Sequence, residues 1–349
     1  MPDSPVPRCA EAVAAITAHA TPFFSVIMPT RNRPELLKQA LDSVLSQSFR
    51  DFEVIVINDG SGEEYLPAYR ALEEASDTRV SWLHQPRRPN GHGPSYSINS
   101  GAQAARGQYL CILDDDDSWQ DHNHLATARD VLAAAELPVD VYYSNQRAYT
   151  ADGNPLGKSL WLGTLAKKLP SAQAGLHGTH KVSAEFLLSC NGFPHLNCTI
   201  IRRDLYLKIG GMDEGIRYEC EVDLYLRTLD AASQIIYNPK EVARHNIPDP
   251  VSKRSVSTAV TQLHKRLSQI NVYEKNLARA PSPLIRDTCV RRLAMFYRML
   301  AEHFKQQQEY ATAAAYARVA LAYRSTLKWR CYSLYLHLLA ATRKDAAKE

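Results

Sequence analysis

Short apolar runs alternate with amphipathic stretches over the first two thirds of the chain. The amphipathic stretch after Pro34 repeats leucine at positions 37, 41 and 45, which gives a helix one apolar face. Strands that alternate with helices at this spacing form crossover units, so the pattern predicts an α/β fold with a mostly parallel sheet and helices on both faces. The apolar runs predict strands at residues 23–28, 52–57, 79–84, 109–113 and 139–144.

Local signals add detail to this α/β pattern. Asn32 precedes Pro34 and is a candidate N-cap, because proline is tolerated in the first turn of a helix. Residues 145–180 are irregular and rich in Gly, Pro and basic side chains, which predicts a substrate loop or lid. Regular structure returns with a helix at 182–190, a short strand at 199–201 and a helix over 212–229.

The character of the chain changes near residue 255 to continuous helix. An apolar stripe runs from Ile285 to Leu300, and further helices are predicted at 311–323 and 327–341. We therefore expect an all-helical region after the α/β part. The predicted divisions are an N-terminal tail at 1–22, an α/β domain at 23–252 and a basic helical domain at 253–349.

Composition narrows the class of protein. The 349 residues are 45% hydrophobic and 22% charged, which is ordinary for a globular protein. No apolar run approaches the roughly 18 residues that a membrane span needs, and no signal-peptide pattern opens the chain. The seven cysteines are scattered without a CxxC pair, which favours reduced thiols, a cytoplasmic location and no zinc site.

Charge is distributed unevenly along the chain. Residues 1–252 contain 23 Lys and Arg against 31 Asp and Glu, whereas residues 253–349 contain 18 against 6. The basic C-terminal helices are compatible with solvated helix faces, with a homodimer interface, or with peripheral attachment to an anionic membrane surface. No nucleic-acid partner is predicted.

Four consecutive aspartates, Asp114 to Asp117, follow the apolar run that ends at Leu113. Carboxylates this close repel one another, and a hard divalent cation such as Mg²⁺ or Mn²⁺ relieves the repulsion through its preference for oxygen ligands. Ligands in α/β sheets collect beyond the carboxyl ends of the strands. This junction predicts a metal site that holds a phosphorylated ligand; the alternative is a solvated acidic loop.

Five segments in a fixed order resemble the inverting glycosyltransferases of family 2, which have the GT-A fold. The resemblance covers residues 23 to about 250. The segments are Ser25-Val-Ile-Met-Pro-Thr-Arg-Asn-Arg33, Val56-Ile-Asn-Asp-Gly-Ser61, Gly107 through Asp114-Asp-Asp-Asp-Ser-Trp119, Gly210-Gly-Met-Asp-Glu214 and Glu219-Cys-Glu-Val-Asp-Leu-Tyr-Leu-Arg227.

The resemblance implies which residues bind the donor. The turn after the first strand wraps the nucleotide, which points to Pro29, Thr30 and Arg31, and the Asp-Gly-Ser turn places Asp59 on the uracil edge.

The family's DXD motif falls on Asp114 and Asp116. It implies that Asp114 faces the ribose or the metal and that Asp116 binds the metal, while Asp115 belongs to the cofactor site or, with Asp117, supports the ligands. His245 aligns with a histidine near the metal or diphosphate. The implied cofactor is Mg²⁺ or Mn²⁺, with a UDP-sugar as donor substrate.

The chain departs from the family pattern at the general base. Relatives carry Glu-Asp where this sequence has Cys220-Glu221. Glu221 is therefore the candidate base, with Asp223 and Glu219 as alternatives.

A second departure is at Ser97-Ile98-Asn99, where many relatives have Ala-Arg-Asn. Arg87 or Arg88 is the candidate replacement for the missing arginine. His195, Asn197 and Thr199 fall where the acceptor pocket would begin.

These observations predict a metal-dependent, inverting transfer of a sugar from a UDP-sugar to a hydroxyl of a glycan or glycolipid, in polysaccharide or lipopolysaccharide synthesis. A hexosyl- or N-acetylhexosaminyltransferase is expected. A non-catalytic sugar-nucleotide-binding or scaffold protein of the same fold is the alternative. A nucleotidyltransferase is disfavoured, because the turn at 29–33 has no glycine for a phosphate loop.

Overall fold

A computed structural model describes residues 21–150, 152–157, 161–170, 174–247 and 260–346. One sheet runs through the α/β part in the order β3-β2-β1-β4-β8-β6-β9-β5, and β7 pairs with β9. The strands are β1 Phe24–Thr30, β2 Phe52–Asn58, β3 Val80–His84, β4 Tyr109–Ile112, β5 Ser118–Trp119, β6 Val141–Tyr149, β7 His180–Val182, β8 Thr199–Arg202 and β9 Ile235–Asn246.

Seven α-helices accompany this sheet and four follow it in the described ranges. They are α1 Pro34–Leu45, α2 Leu66–Glu74, α3 Pro94–Ala104, α4 His124–Ala133, α5 Ala184–Leu188, α6 Arg203–Lys208, α7 Cys220–Ala231, α8 Gln262–Arg279, α9 Pro283–Gln306, α10 Tyr310–Tyr323 and α11 Leu327–Ala346. Nearly all of the predicted N-terminal tail and the predicted boundary at 252 lie outside the described residues.

The parallel half of the sheet agrees with the prediction. β1 lies between β2 and β4, and β3 adds to the outer edge of β2, all in parallel. The side chains of β2 and β4 are buried throughout, as expected for strands covered on both faces. The carboxyl ends of β1, β2 and β4 consequently meet at one edge. That edge brings together the turns at 30–33, 58–61 and 114–117.

The other half of the sheet is mixed. β8 is antiparallel to both β4 and β6, β6 is parallel to β9, and β5 and β7 are antiparallel to β9. The chain thus returns along β8 beside β4 and does not extend the parallel array. His245 lies within β9, and its strand neighbours Arg244 and Ala243 pair with the two residues of β5 directly after the aspartates.

Two local predictions are wrong. The helix predicted over 212–229 begins only at Cys220, because Gly210 and Gly211 take positive φ angles and Glu219 takes a left-handed conformation, so the segment between them is a turn. Asn32 is not the cap of α1. It has φ 58°, and its side-chain oxygen accepts a hydrogen bond from the Gly62 amide at 2.8 Å, which ties the β1 turn to the β2 turn.

The C-terminal helices pack on the α/β part through α7. α8 lies against α7, and buried side chains of α8 and α9, such as Val272 and Leu293, belong to the same apolar cluster as Leu226 of α7 and Tyr143 of the sheet. α9, α10 and α11 then follow as a stack in which each helix packs on the one before it. No helix in the described ranges has both the length and the apolar character that crossing a bilayer requires.

Candidate active site

The four aspartates after β4 take different partners. Asp115 is buried and accepts a hydrogen bond from Thr30 Oγ1 at 2.8 Å, so it links the ends of β4 and β1. Arg33 spans two members of the cluster, with its Nη1 3.2 Å from Asp115 Oδ1 and 2.7 Å from Asp116 Oδ2. The cluster therefore contains a fixed counter-charge of its own. No role for Arg33 follows from the sequence, because the chain spacing does not show that its side chain turns back over the aspartates.

Asp117 orients the histidine of β9. Its buried carboxylate lies 3.0 Å from His245 Nδ1 and accepts hydrogen bonds from Asn197 Nδ2 at 2.7 Å and from the Asn246 amide at 3.0 Å. A carboxylate at this distance from Nδ1 favours the tautomer of His245 with the proton on Nδ1 and the lone pair on Nε2. The structure thus places Asp117 against His245 and Asn197, and its role in supporting the ligands stays a prediction.

Glu221 lies in the first turn of α7, beside His195. His195 Nε2 is 3.3 Å from Glu221 Oε1, and its ring centroid is 4.5 Å from that of His245, with Trp161 packed edge-on against both. Burial raises the pKa of Glu221 to about 8, partly offset by His245, while nearby carboxylates raise it further. Burial lowers the pKa of His195.

The two alternative bases face other partners. Asp223 is fully buried, forms an ion pair with Arg227 at 2.6 Å and accepts a hydrogen bond from Asn276 of α8 at 2.8 Å. Glu219 accepts a hydrogen bond from Gln269 of α8 at 2.8 Å. Both carboxylates connect α7 to α8, whereas Glu221 alone of the three is close to His195 and the aspartates.

Asp59 holds the loop between β3 and α3. Its Oδ1 lies 2.7 Å from the His92 amide and 2.9 Å from His92 Nδ1, and its Oδ2 accepts the Gly93 amide at 2.9 Å. A carboxylate has about four acceptor positions, so one remains on Oδ2 for a further donor. A side chain on Gly91 would collide with this carboxylate, which explains a glycine with φ +64° there.

The arginines that could bind a diphosphate lie in different places and have different contacts. Arg31 donates to the carbonyls of Arg88 and Pro89 and so braces the same loop. Arg87 reaches Glu63 at 3.7 Å on the surface. Ile98, at the position of the family's arginine, is fully buried in the apolar core. Arg33 is the arginine that contacts the aspartates directly.

Two groups of side chains have the right chemistry for a divalent cation. Asp117, His195 and His245 form one and Asp114, His195 and Glu221 form the other, each with ligand atoms within 4.8 Å of one another. His195 Nδ1 and Asn197 Oδ1 are buried and have no hydrogen-bond partner in the described part of the chain. Buried polar atoms left in this way need a ligand or ordered water, so the residues fit a bound cation. Asp116 is in neither group, since its carboxylate is turned to Arg33.

Removing one carboxylate from this cluster should stabilise the ligand-free protein at neutral and higher pH. Burial raises the pKa of Asp114 from 3.8 to about 7, helped by Asp116, Asp117 and Glu221. A raised folded-state pKa means that stability is full below pH 4 and is lost as the pH rises through 7. We therefore expect Asp114→Asn to melt above the wild type at pH 8, by on the order of a few degrees. The difference in melting temperature between the variant and the wild type should disappear near pH 4. A difference that does not change with pH would contradict the raised pKa of Asp114.

Part of this chain matches the model of a known protein family, and curated proteins resemble it in sequence. The model of the family "Glycosyl transferase family 2" matches residues 25–209. The amylovoran biosynthesis glycosyltransferase AmsB of Erwinia amylovora is 28% identical over 208 residues, which are 58% of this chain and 63% of AmsB. The GalNAc(5)-diNAcBac-PP-undecaprenol beta-1,3-glucosyltransferase of Campylobacter jejuni is 36% identical over 96 residues, 28% of this chain and 30% of that protein. The chain thus aligns with less than two thirds of the length of either relative.

Solved structures share the fold over almost the whole chain. S. aureus TarS 1–349 in complex with UDP-GlcNAc superposes with a TM-score of 0.58 at 15% sequence identity. The match covers 91% of this chain and 87% of the TarS chain. The mannosyltransferase PcManGT of Pyrobaculum calidifontis, in complex with GDP-Man and Mn²⁺, superposes with a TM-score of 0.57 at 18% sequence identity. The match covers 95% of this chain and 89% of the PcManGT chain. These likenesses confirm the predicted GT-A fold followed by an all-helical region.

Proposed function

This chain belongs to glycosyl transferase family 2, and we propose that it transfers a sugar from a UDP-sugar to a hydroxyl of a glycan or glycolipid, with inversion. The observation that carries the proposal is the position of Glu221. It is a buried carboxylate with a raised pKa, in one group with Asp114 and His195 at the carboxyl edge of the sheet. A base with a pKa near the working pH is suited to accept a proton from an alcohol.

The proposed reaction is a single in-line displacement. The acceptor oxygen forms a bond to the anomeric carbon as the bond from that carbon to the UDP oxygen breaks, and Glu221 takes the acceptor proton. No covalent enzyme intermediate is required. Asp223 is an unsuitable base because Arg227 and Asn276 already occupy its oxygens, and Glu219 is directed to Gln269.

The donor would bind along the turns after β1 and β2. The remaining acceptor position on Asp59 suits the N–H of a uracil ring, and Pro29, Thr30 and Arg31 line the adjacent turn. Arg33 is our candidate for the missing diphosphate arginine, since its guanidinium is already at the aspartates. The TarS complex contains UDP-GlcNAc, which supports a uridine donor. We propose a hexosyl- or N-acetylhexosaminyltransferase.

We propose that Asp116 and His245 hold Mg²⁺ or Mn²⁺, with Asp114 and His195 beside them. A divalent cation there would neutralise the charge that develops on the departing diphosphate. The imidazoles favour Mn²⁺ over Mg²⁺, because Mg²⁺ strongly prefers oxygen ligands. Asp117 keeps the ring of His245 oriented through its contact with Nδ1.

The acceptor proposal draws on the relatives. The Campylobacter protein is named for an undecaprenol-linked glycan and AmsB for a secreted polysaccharide. By analogy, a lipid-linked glycan at the inner face of a bacterial membrane is our proposed acceptor. We further propose that residues 23–252 form the catalytic domain and that the basic region 253–349 positions this acceptor.

A panel of nucleotide sugars tests the function. We expect UDP-sugars to raise the melting temperature in the presence of Mn²⁺, and one of them to be hydrolysed slowly without acceptor. The Cys220-Glu221 departure favours one competing function, a binding protein that has lost catalysis. Stabilisation by a UDP-sugar with no hydrolysis and no transfer would support that alternative. A response confined to GDP-sugars would contradict the uridine donor.

A further inference from the structure

The outer face of α11 carries an exposed apolar stripe. Its exposed fractions are 78% at Leu327, 62% at Leu334, 47% at Tyr335 and 60% at Leu338, and Cys331 is also exposed. The spacing of four, seven, eight and eleven residues from Leu327 puts all five on one side of the helix. We call these five residues the α11 stripe.

The opposite side of α11 is already occupied. Leu336 is fully buried among the alanines of α10, and Trp329 and Tyr332 pack beside it. α11 is the last helix of the stack in the described ranges. The end of such a stack normally has a polar outer face, because nothing further packs on it. A stripe of leucine and tyrosine at this position therefore indicates a surface that is covered in use.

The charges around the stripe indicate what covers it. α11 contains four Lys or Arg against one acidic residue, Asp345, in its last turn. Lys328 and Arg330 lie on the two sides of the stripe, by their helical positions, and both are exposed. An apolar face bordered by basic side chains is typical of helices that lie in the interface of a membrane with anionic lipids.

A second copy of the chain fits less well. Pairing two α11 helices across a two-fold axis would place Lys328 and Arg330 of both copies beside the shared stripe, and each helix has one acidic residue, Asp345, against four Lys or Arg. Like charges at this density repel. An anionic lipid surface supplies both an apolar layer and the opposite charge.

We propose that the α11 stripe docks this protein on the interface of an anionic lipid bilayer. The helix would lie in the plane of the surface, with Leu334 and Leu338 among the acyl chains and Lys328 and Arg330 at the headgroups. The benefit of this docking rests on the proposed glycolipid acceptor, since it would concentrate the enzyme where that acceptor is anchored. The contact itself depends only on α11 and its charges.

Co-sedimentation of the full chain with lipid vesicles tests the proposal. We expect binding to equimolar phosphatidylglycerol–phosphatidylcholine vesicles and little binding to pure phosphatidylcholine. Leu334→Glu with Leu338→Glu should weaken binding by about tenfold or more, and so should Lys328→Glu with Arg330→Glu. Leu137→Glu is the matched control, because Leu137 is 60% exposed but lies outside the helical stack, and it should leave binding unchanged.

Circular dichroism would confirm that each variant is folded. Calorimetry with UDP and Mn²⁺ separates this proposal from the proposed function, because α11 variants should keep wild-type nucleotide affinity. Absence of vesicle binding by the wild type, or unchanged binding by the Leu334/Leu338 variant, would overturn the membrane contact even if UDP binds. A wild-type dimer in solution that the same variant converts to a monomer would also overturn it.

Discussion

Glu221→Gln should lower the turnover of sugar transfer by about 10²–10⁴-fold, the usual contribution of a general base. The amide preserves the size of the side chain but cannot take the acceptor proton. UDP binding should survive, because the donor turns at 30–33 and 58–61 do not include Glu221. The measurement is a comparison of turnover with the calorimetric UDP affinity of the same variant.

The matched control is Glu219→Gln, which makes the same change two residues away, on a side chain that contacts Gln269 of α8. We expect a much smaller loss there. Because burial raises the pKa of Glu221 to about 8, its ionised form increases as the pH rises, and the wild-type rate should climb towards that pH. Any residual activity of Glu221→Gln should not show this rise of the rate with pH. Retained turnover in Glu221→Gln would assign the base to another residue.

Asp116→Asn should weaken metal-dependent donor binding by roughly tenfold or more, since a carboxylate is a far better ligand than an amide for a hard cation. The change also removes one of the two ion pairs of Arg33, the contact with Asp116 at 2.7 Å, and leaves the contact with Asp115 at 3.2 Å. The readout is UDP affinity with and without Mn²⁺.

Asp42→Asn is the control for Asp116. Asp42 is likewise paired with a basic side chain, Lys38 at 2.6 Å, but on the exposed surface of α1. It should leave the nucleotide affinity unchanged. If Asp116→Asn retains the full difference between the two metal conditions, Asp116 does not hold the cation.

The sequence predicted the parallel half of the sheet and the place of the acidic cluster. Those strands are short, continuously apolar runs, and their carboxyl ends must meet at one edge once the pairing is parallel. The sequence did not predict the antiparallel pairing of β8 or the strand β5. β8 pairs with β4 and β5 pairs with β9, and in each case the partner strand is about ninety residues or more away in the chain. The local pattern of apolar residues contains no information about such distant partners.

The contacts between side chains within the site could not be predicted from the sequence either. His195 and His245 are fifty residues apart in the chain, yet their rings are 4.5 Å apart. The sequence interpretation attributed the tolerance of four aspartates to a bound ion. In the structure, Arg33, Thr30 and Asn197 already compensate three of them, and a ligand adds to that compensation.

The measurement that tests the account most directly is a calorimetric titration of UDP into the wild-type protein with and without Mn²⁺. We predict saturable uptake of about one UDP per chain with Mn²⁺ and clearly weaker uptake without it. No detectable uptake of UDP in either condition would contradict it.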